Sequence, residues 1–155
     1  MQVNLKHQPS YSLAIVTLAA NEPVKVEPGA MVAYSEGMAV ETKSEGGLMG
    51  GLKRMVAGES FFQNTYTAPG NGGELILAPA LPGDMIVLEI GGGEFMLQSG
   101  AYIASEHGIS TDAKWGGAKG FFGSGSLVLL RVSGQGKLLA GCYGAIEERV
   151  LSAGQ

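Results

Sequence analysis

The sequence predicts an all-β protein, either a β-sandwich or a β-helical barrel, on three observations. Short runs of apolar and β-branched residues alternate with turn sequences, which gives about a dozen candidate strands. Glycine accounts for 26 of the 155 residues without a collagen-like period, so turns and bulges are frequent. Two stretches of the chain resemble each other at a constant offset. These features favour a single domain of many short strands.

Candidate strands in the first half of the chain are bounded by turn residues. Val24 and Val26 alternate with charged neighbours, which predicts a half-exposed strand, and Pro28-Gly29 ends it. The strand before it, 11–18, is predicted to be buried on both faces because it is almost continuously apolar. The later strands predicted in this half are 31–34, 38–43, 60–67 and 74–78.

One stretch, residues 46–65, breaks the β pattern and predicts one short helix near 48–57. Its apolar residues have the spacing of a single helical face, and they are Leu48, Leu52, Met55 and Val56. The flanking glycines each cost a helix about 1 kcal/mol relative to alanine, so the helix is short and irregular. With Met49 and the basic pair Lys53-Arg54, it is a candidate docking element for a subunit or a membrane surface. Packing against its own sheet is the alternative.

The second half follows the same pattern. Its predicted strands are 85–90, 94–98, 102–104, 109–114, 127–132, 137–143 and 145–151. A second glycine-rich excursion, 115–125, separates two of them. Trp115, Phe121 and Phe122 in this excursion could stack on nucleic-acid bases, but basic neighbours are sparse, so an oligomer interface or a core position is favoured.

An internal repeat organises the single domain. The segment Gly29–Tyr34 recurs as Gly100–Ser105, and glycine-rich excursions follow both copies. We predict repeat one at about 24–94, repeat two at about 95–149 and the start of a truncated third copy at 150–155. A strand edge at the C-terminus would then need covering by another chain.

Composition narrows the classes of function. Only 15% of the residues are charged, against roughly 25% in soluble domains, and the weakly polar surface favours a homo-oligomer. The net charge of −4 disfavours a nucleic-acid partner, because such binding depends on basic residues that neutralise phosphates. The single cysteine, Cys142, is expected to be a buried small hydrophobe in a reducing compartment. No apolar run reaches the roughly 18 residues of a membrane span, so a cytoplasmic protein is expected, with membrane-surface association left open.

No catalytic constellation emerges from the titratable residues. His7 and His107 are the only histidines, too few and too dispersed for a metal site. A triad could be drawn from Ser60 or Ser105 with His107 and Asp112, but the chain has no G-x-S-x-G motif. We therefore expect no enzymatic activity, no metal and no cofactor.

Six motifs resemble a known family over roughly residues 24–151. They are EPGAMVAYSEG, GGLMGGLKRMVAGESFFQNTYTAPGNGGELILAP, LPGD, LQSGAYIAS, DAKWGGAKGFFGSG and YGAI. Together they are similar to the altered-inheritance-of-mitochondria family of TRAP-like proteins. The resemblance implies a TRAP-like double-stranded β-helix, a tendency to multimerise and a further segment after YGAI. The family's fungal relative is tied to mitochondrial inner-membrane organisation, whereas its bacterial members imply no particular activity.

Three functions remain as hypotheses. The leading one is a non-enzymatic, self-associating scaffold or assembly protein, with a membrane surface as one candidate place of action. The second is a small-ligand-binding β domain with a site near Trp115. RNA binding is the weakest of the three, because the basic contact pattern it requires is not visible.

Overall fold

The structure is a computed structural model that describes residues 1–44, 62–115 and 128–154, and these residues are almost entirely β. Two short 3-10 helices lie at Pro28–Ala30 and Ser99–Ala101. The strands are β1 (Gln2–Lys6), β2 (Leu13–Leu18), β3 (Pro23–Val26), β4 (Met31–Tyr34), β5 (Ala39–Ser44), β6 (Phe62–Thr67), β7 (Gly73–Leu77), β8 (Met85–Gly91), β9 (Phe95–Gln98), β10 (Tyr102–Glu106), β11 (Ile109–Trp115) and β12 (Val128–Gly141).

These strands form two antiparallel sheets. The smaller sheet has the order β1-β2-β7-β4. The larger sheet has the order β11-β12-β10-β3-β6-β5, and β8 and β9 also pair with β12. The predicted all-β fold class is therefore confirmed. The helix predicted near 48–57 lies outside the described residues.

Strand β12 corrects the prediction of separate strands at 127–132 and 137–143. It is one 14-residue strand that pairs first with β9 and β11 and then with β8 and β10. Gly134 and Gly136 lie between the two halves with φ of 103° and 133°, a region that favours glycine. At Gly134 a β-carbon would overlap the carbonyl oxygen of Gly108. These glycines therefore allow a close backbone approach within one continuous strand.

Two further predictions about strands were wrong, and one strand was missed. Strand β2 is not buried on both faces: Val16 and Leu18 are buried, and Thr17 between them is exposed. Residues 145–151 form no strand, and their side chains are exposed. Strand β1 was not predicted at all, although it pairs along its whole length with β2.

The core consists of two apolar clusters. The first is built mainly on β2, β3, β7 and β10 and includes Leu75 and Leu77, both 0% exposed. The second is built on β8 to β12 and includes Leu130 and Leu138, also 0% exposed. Burial of this apolar surface stabilises the fold by roughly 1.5–3 kcal/mol for each large side chain.

The two halves of the chain share local features. Each 3-10 helix leads directly into a strand, β4 in one half and β10 in the other. Each of these strands has a register irregularity just after it begins, between Met31 and Ala33 and between Tyr102 and Ala104. These parallels agree with the predicted internal repeat. The repeat boundaries at 24–94, 95–149 and 150–155 stay a prediction.

Candidate interaction surface

Most of the predicted docking residues lie outside the described part of the chain. They are Leu48, Met49, Leu52, Lys53, Arg54, Met55, Val56, Phe121 and Phe122. Trp115 ends β11, where its backbone pairs with Val128, but its side chain is not described. Their grouping as an interface therefore stays a prediction, and the surface considered below is formed by other residues.

Strand β4 has one paired edge and one open edge. It pairs with β7 and ends the smaller sheet, and no other described strand pairs with it. Met31, Val32 and Tyr34 are 36%, 56% and 46% exposed. The Tyr34 ring packs at a tilt against Tyr66, with the ring centroids 5.7 Å apart. An apolar strand with an open edge is a template for pairing with another chain.

Strand β9 has a second open edge. It pairs with the first half of β12, with Phe95 opposite Val132, and within the described residues its other edge has no strand beside it. Phe95 and Met96 are 38% and 47% exposed, whereas Leu97 is buried. The strand's four residues are uncharged, so they lack the charged side chains that commonly protect an edge.

These two edges were missed by the sequence reasoning. The four consecutive exposed residues of β4 are apolar or aromatic, MVAY, which periodicity alone would assign to a buried strand. Their exposure follows from the absence of a second neighbouring strand among the described residues, which no local pattern reveals.

Asp84 lies at the centre of a polar cluster. Its Oδ1 accepts hydrogen bonds from Gln8 Nε2 at 3.0 Å, from the Ser12 hydroxyl at 2.9 Å and from the Met85 backbone N–H at 2.8 Å. Burial works to raise the pKa of Asp84, but these three donors outweigh it and lower the pKa below its usual value. The carboxylate thus fixes the loop between β1 and β2 to the start of β8.

A second polar cluster surrounds the α-ammonium of Met1. This group pairs with Glu22 and, at 2.8 Å, with Glu106, which also accepts a 2.8 Å bond from the Lys137 backbone N–H. Desolvation acts to lower the pKa of the ammonium, but the two carboxylates raise it overall. Burial acts to raise the pKa of Glu106, and its hydrogen-bond donors lower it overall. Beside the cluster is a cleft of about 290 Å³, lined by Met1, Gln2, Thr17, Leu18, Ala19 and Glu22.

The polar residues considered as a triad have other partners. The Ser105 hydroxyl is buried and lies 2.8 Å from the Tyr102 hydroxyl. Asp112 lies 3.6 Å from the Arg131 guanidinium, and His107 is on the surface. Ser60 lies outside the described residues. Cys142 was expected to be buried but is only half-buried, and its Sγ lies 3.8 Å from the Gly144 carbonyl oxygen.

The described ranges contain neither a group of metal-ligand side chains nor a membrane-spanning helix. There, no three His, Cys, Asp or Glu side chains are grouped to hold a metal ion. The same part of the chain contains no helix of sufficient length and apolarity to cross a membrane.

The described residues thus define a class: an all-β protein with two antiparallel sheets and open, partly apolar strand edges. Residues 3–155 match the family model described as Mitochondrial biogenesis AIM24, and the chain belongs to that family. This confirms the resemblance drawn from the sequence motifs.

Two relatives come from Streptococcus pyogenes. The chain is 30% identical to the uncharacterized protein M6_Spy0233 of serotype M6, in an alignment of 163 positions that covers 99% of this chain and 65% of the relative. It is also similar to the crystal structure of protein SPYM3_0169, with a TM-score of 0.75 and 28% identity over 94% of this chain and 66% of that one. The chain therefore spans slightly less than two thirds of the length of each.

Proposed function

We propose that this AIM24-family chain is a non-enzymatic, self-associating scaffold or assembly protein. The observation that carries the proposal is that, among the described residues, no strand lies beside the outer edges of β4 and β9, both of which have exposed apolar side chains. Covering such edges with protein removes apolar surface from water and satisfies backbone hydrogen-bonding groups together.

The polar side chains support a structural role. Asp84 accepts hydrogen bonds from Gln8 and Ser12 in the loop between β1 and β2 and from the Met85 N–H at the start of β8, and the Ser105 hydroxyl is engaged by Tyr102. Groups with such saturated partners stabilise the fold and are poorly placed to activate a substrate. Catalysis would require a nucleophile beside a base, which these contacts do not provide.

The cytoplasm is the proposed compartment, with a membrane surface as a further proposed place of action. The apolar residues of 48–56 together with Lys53 and Arg54 suit an interfacial helix. Flotation with vesicles containing anionic lipid tests this part: the wild type should float with them, and the double variant Lys53→Glu, Arg54→Glu should not. Wild-type protein that remains in the fractions without vesicles would exclude a role at the membrane surface.

Light scattering on the purified chain tests self-association. A stable homo-oligomer is expected at micromolar concentration, and a monodisperse monomer of the 15.9 kDa chain would contradict the proposal. Native mass spectrometry on the same sample gives the number of subunits and the mass of any co-purified ligand.

Small-ligand binding is the second candidate function. It is favoured by the cleft of about 290 Å³ next to Glu22 and the Met1 ammonium, a volume near the lower end for small-molecule sites. A mass increment that native spectrometry detects and that Thr17→Trp removes would support it. An unliganded mass, with no heat of binding across a metabolite panel, would exclude it.

A further inference from the structure

We propose that the outer edge of β9 in one copy pairs with the outer edge of β4 in a second copy of this chain. The pairing is antiparallel and has the register that β3 and β10 adopt within one chain. This inference rests on the proposed self-association and specifies its interface.

The internal pairing of β3 with β10 supplies the template. Val26 lies opposite Ala104, and Val24 lies opposite Glu106. Beyond the end of β3, the Glu27 backbone N–H donates a 2.8 Å hydrogen bond to the Ile103 carbonyl oxygen. Strand β10 is thereby covered on both edges, by β12 and by β3.

Strands β4 and β9 correspond to β10 and β3 in position and pairing. A 3-10 helix follows β3 and leads into β4, just as another follows β9 and leads into β10. Strand β3 pairs with β6, with Val24 opposite Tyr66, and β9 pairs with β12, with Phe95 opposite Val132. Strand β4 pairs with β7 across the same irregularity that β10 shows with β12. Each open edge therefore has an occupied counterpart in the same molecule.

Exposure shows what the occupied edge gains. Tyr102 and Ile103 on β10 are 1% and 4% exposed, whereas Met31 and Val32 at the matching positions of β4 are 36% and 56% exposed. The same comparison holds for β3 and β9: Val24 on β3 is 0% exposed, whereas the matching Phe95 on β9 is 38% exposed. Pairing with a second copy would bury the exposed side chains of β4 and β9, as the pairing of β3 with β10 buries the matching side chains within one chain.

A second copy is the occupant because each molecule carries both complementary edges. Within one chain β4 ends the smaller sheet and β9 pairs with β12, so these two strands do not meet. All eight residues of the two strands are uncharged, so no like charges face each other within the paired strands. Joining β9 of one copy to β4 of the next is a head-to-tail contact, which produces a ring or an open filament.

The template fixes the register across the interface. Ala33 should lie opposite Leu97 of the second copy, and Tyr34 opposite its Met96. The Val32 carbonyl oxygen should accept a hydrogen bond from the Gln98 backbone N–H, as that of Ile103 does from Glu27. Directly opposite residues have their β-carbons about 4.5–5.5 Å apart, within reach of a short cross-linker.

Cross-linking between two differently tagged copies tests this register. In a Cys142→Ser background, one copy carries Tyr34→Cys and the other carries Met96→Cys, and the mixed sample is treated with a short bis-maleimide. The expected result is a mixed dimer from this pair. Two control pairs are Tyr34→Cys with Val150→Cys, on the exposed C-terminal segment, and Glu74→Cys with Met96→Cys. Both should yield at least about tenfold less product, because their residues are not opposed in this register.

The possible outcomes distinguish a failure of the proposed interface from a failure of the proposed self-association. An oligomer that lacks the 34–96 product overturns this inference and leaves the proposed function standing. A monomer by light scattering overturns both. Preferential linkage of 34 to 150 assigns the β4 edge to the C-terminal segment and also overturns it. Thermal unfolding of each cysteine variant confirms that the mixed copies are folded. Hydrogen exchange of the backbone amides of residues 31–34 gives a second test: exchange should be slower in the unmodified oligomer than in the dissociated chain.

Discussion

The hydroxyl groups of Tyr102 and Ser105 lie 2.8 Å apart inside β10, and the Tyr102 ring is 1% exposed. The Tyr102 oxygen also lies 3.4 Å from the Lys25 carbonyl oxygen on β3. This buried contact ties β10 to the strand that covers its edge. It therefore stabilises the internal pairing that serves as the template for the proposed interface.

Removing the Tyr102 hydroxyl should destabilise the fold. Tyr102→Phe keeps the ring but leaves the Ser105 hydroxyl without this partner, and a loss of about 1–3 kcal/mol in the free energy of unfolding is expected. Urea unfolding followed by circular dichroism measures it. Tyr143→Phe is the matched control, since Tyr143 is 78% exposed and should change stability by less than about 0.5 kcal/mol. Equal stability of the two variants would contradict the role given to Tyr102.

Gly83→Ala should be strongly destabilising. A β-carbon at Gly83 would overlap the Cys142 carbonyl oxygen, and the surrounding backbone is held by hydrogen bonds from Asp84 N–H to Gly144 at 2.8 Å and from Cys142 N–H to Asp84 at 3.0 Å. The strain should cost at least about 1–3 kcal/mol in a chemical unfolding experiment. Gly70→Ala is the control, because nothing lies within 4 Å of its added β-carbon. A Gly83→Ala variant as stable as Gly70→Ala would show that the two segments are not in contact.

Asp84 should give the fold a measurable acid dependence. Its folded pKa is lowered from 3.8, so its contribution is present above that value and is lost as pH falls through the lower folded pKa. Asp84→Asn should be less stable than the wild type at neutral pH, and the difference should shrink at strongly acidic pH. Unfolding midpoints across this range measure the difference, with Glu36→Gln at an exposed position as the control. A difference between Asp84→Asn and the wild type that does not change with pH would exclude this linkage.

The Met1 ammonium should make the stability of the fold depend on pH in the alkaline range. Its folded pKa is raised from 8.0, so its stabilisation is complete below that value and is lost as pH rises through the folded pKa. Glu106→Gln removes a carboxylate partner of the ammonium, so the alkaline decline in stability should be shallower in this variant. The comparison uses chains that begin at Met1 without a tag, in thermal unfolding from neutral to alkaline pH. Parallel declines in the variant and the wild type would contradict the pairing.

Local pattern predicted most of the strands whose partners lie within the described chain, although it missed β1. Val24 and Val26 alternate with polar neighbours, and their strand was found with the expected burial. The C-terminal residues 145–151 also have strand-like composition, but no described strand pairs with them, and a strand without hydrogen-bonding partners is not formed. The continuity of β12 through Gly134 could not be anticipated, since glycine serves equally in turns and in close backbone approaches.

The candidate surface was less predictable than the fold. Tyr34 and Phe95 belong to strands that the sequence predicted correctly, yet their exposure depends on which strands lie beside them. That arrangement is set by pairings between residues far apart in the chain, such as Ala104 with Val26. Periodicity reports the faces of a strand and carries no information about its edges.

Sedimentation equilibrium on two matched variants tests the central claim most directly. Val32 on β4 and Val40 on β5 are exposed valines, at 56% and 43%, and each is replaced by lysine. The account predicts that the wild type and Val40→Lys sediment as oligomers at micromolar concentration, whereas Val32→Lys sediments as a folded monomer because a charge on the edge opposes strand pairing. An oligomeric Val32→Lys, or a monomeric wild type, would contradict the claim that the open β4 edge joins copies of this chain.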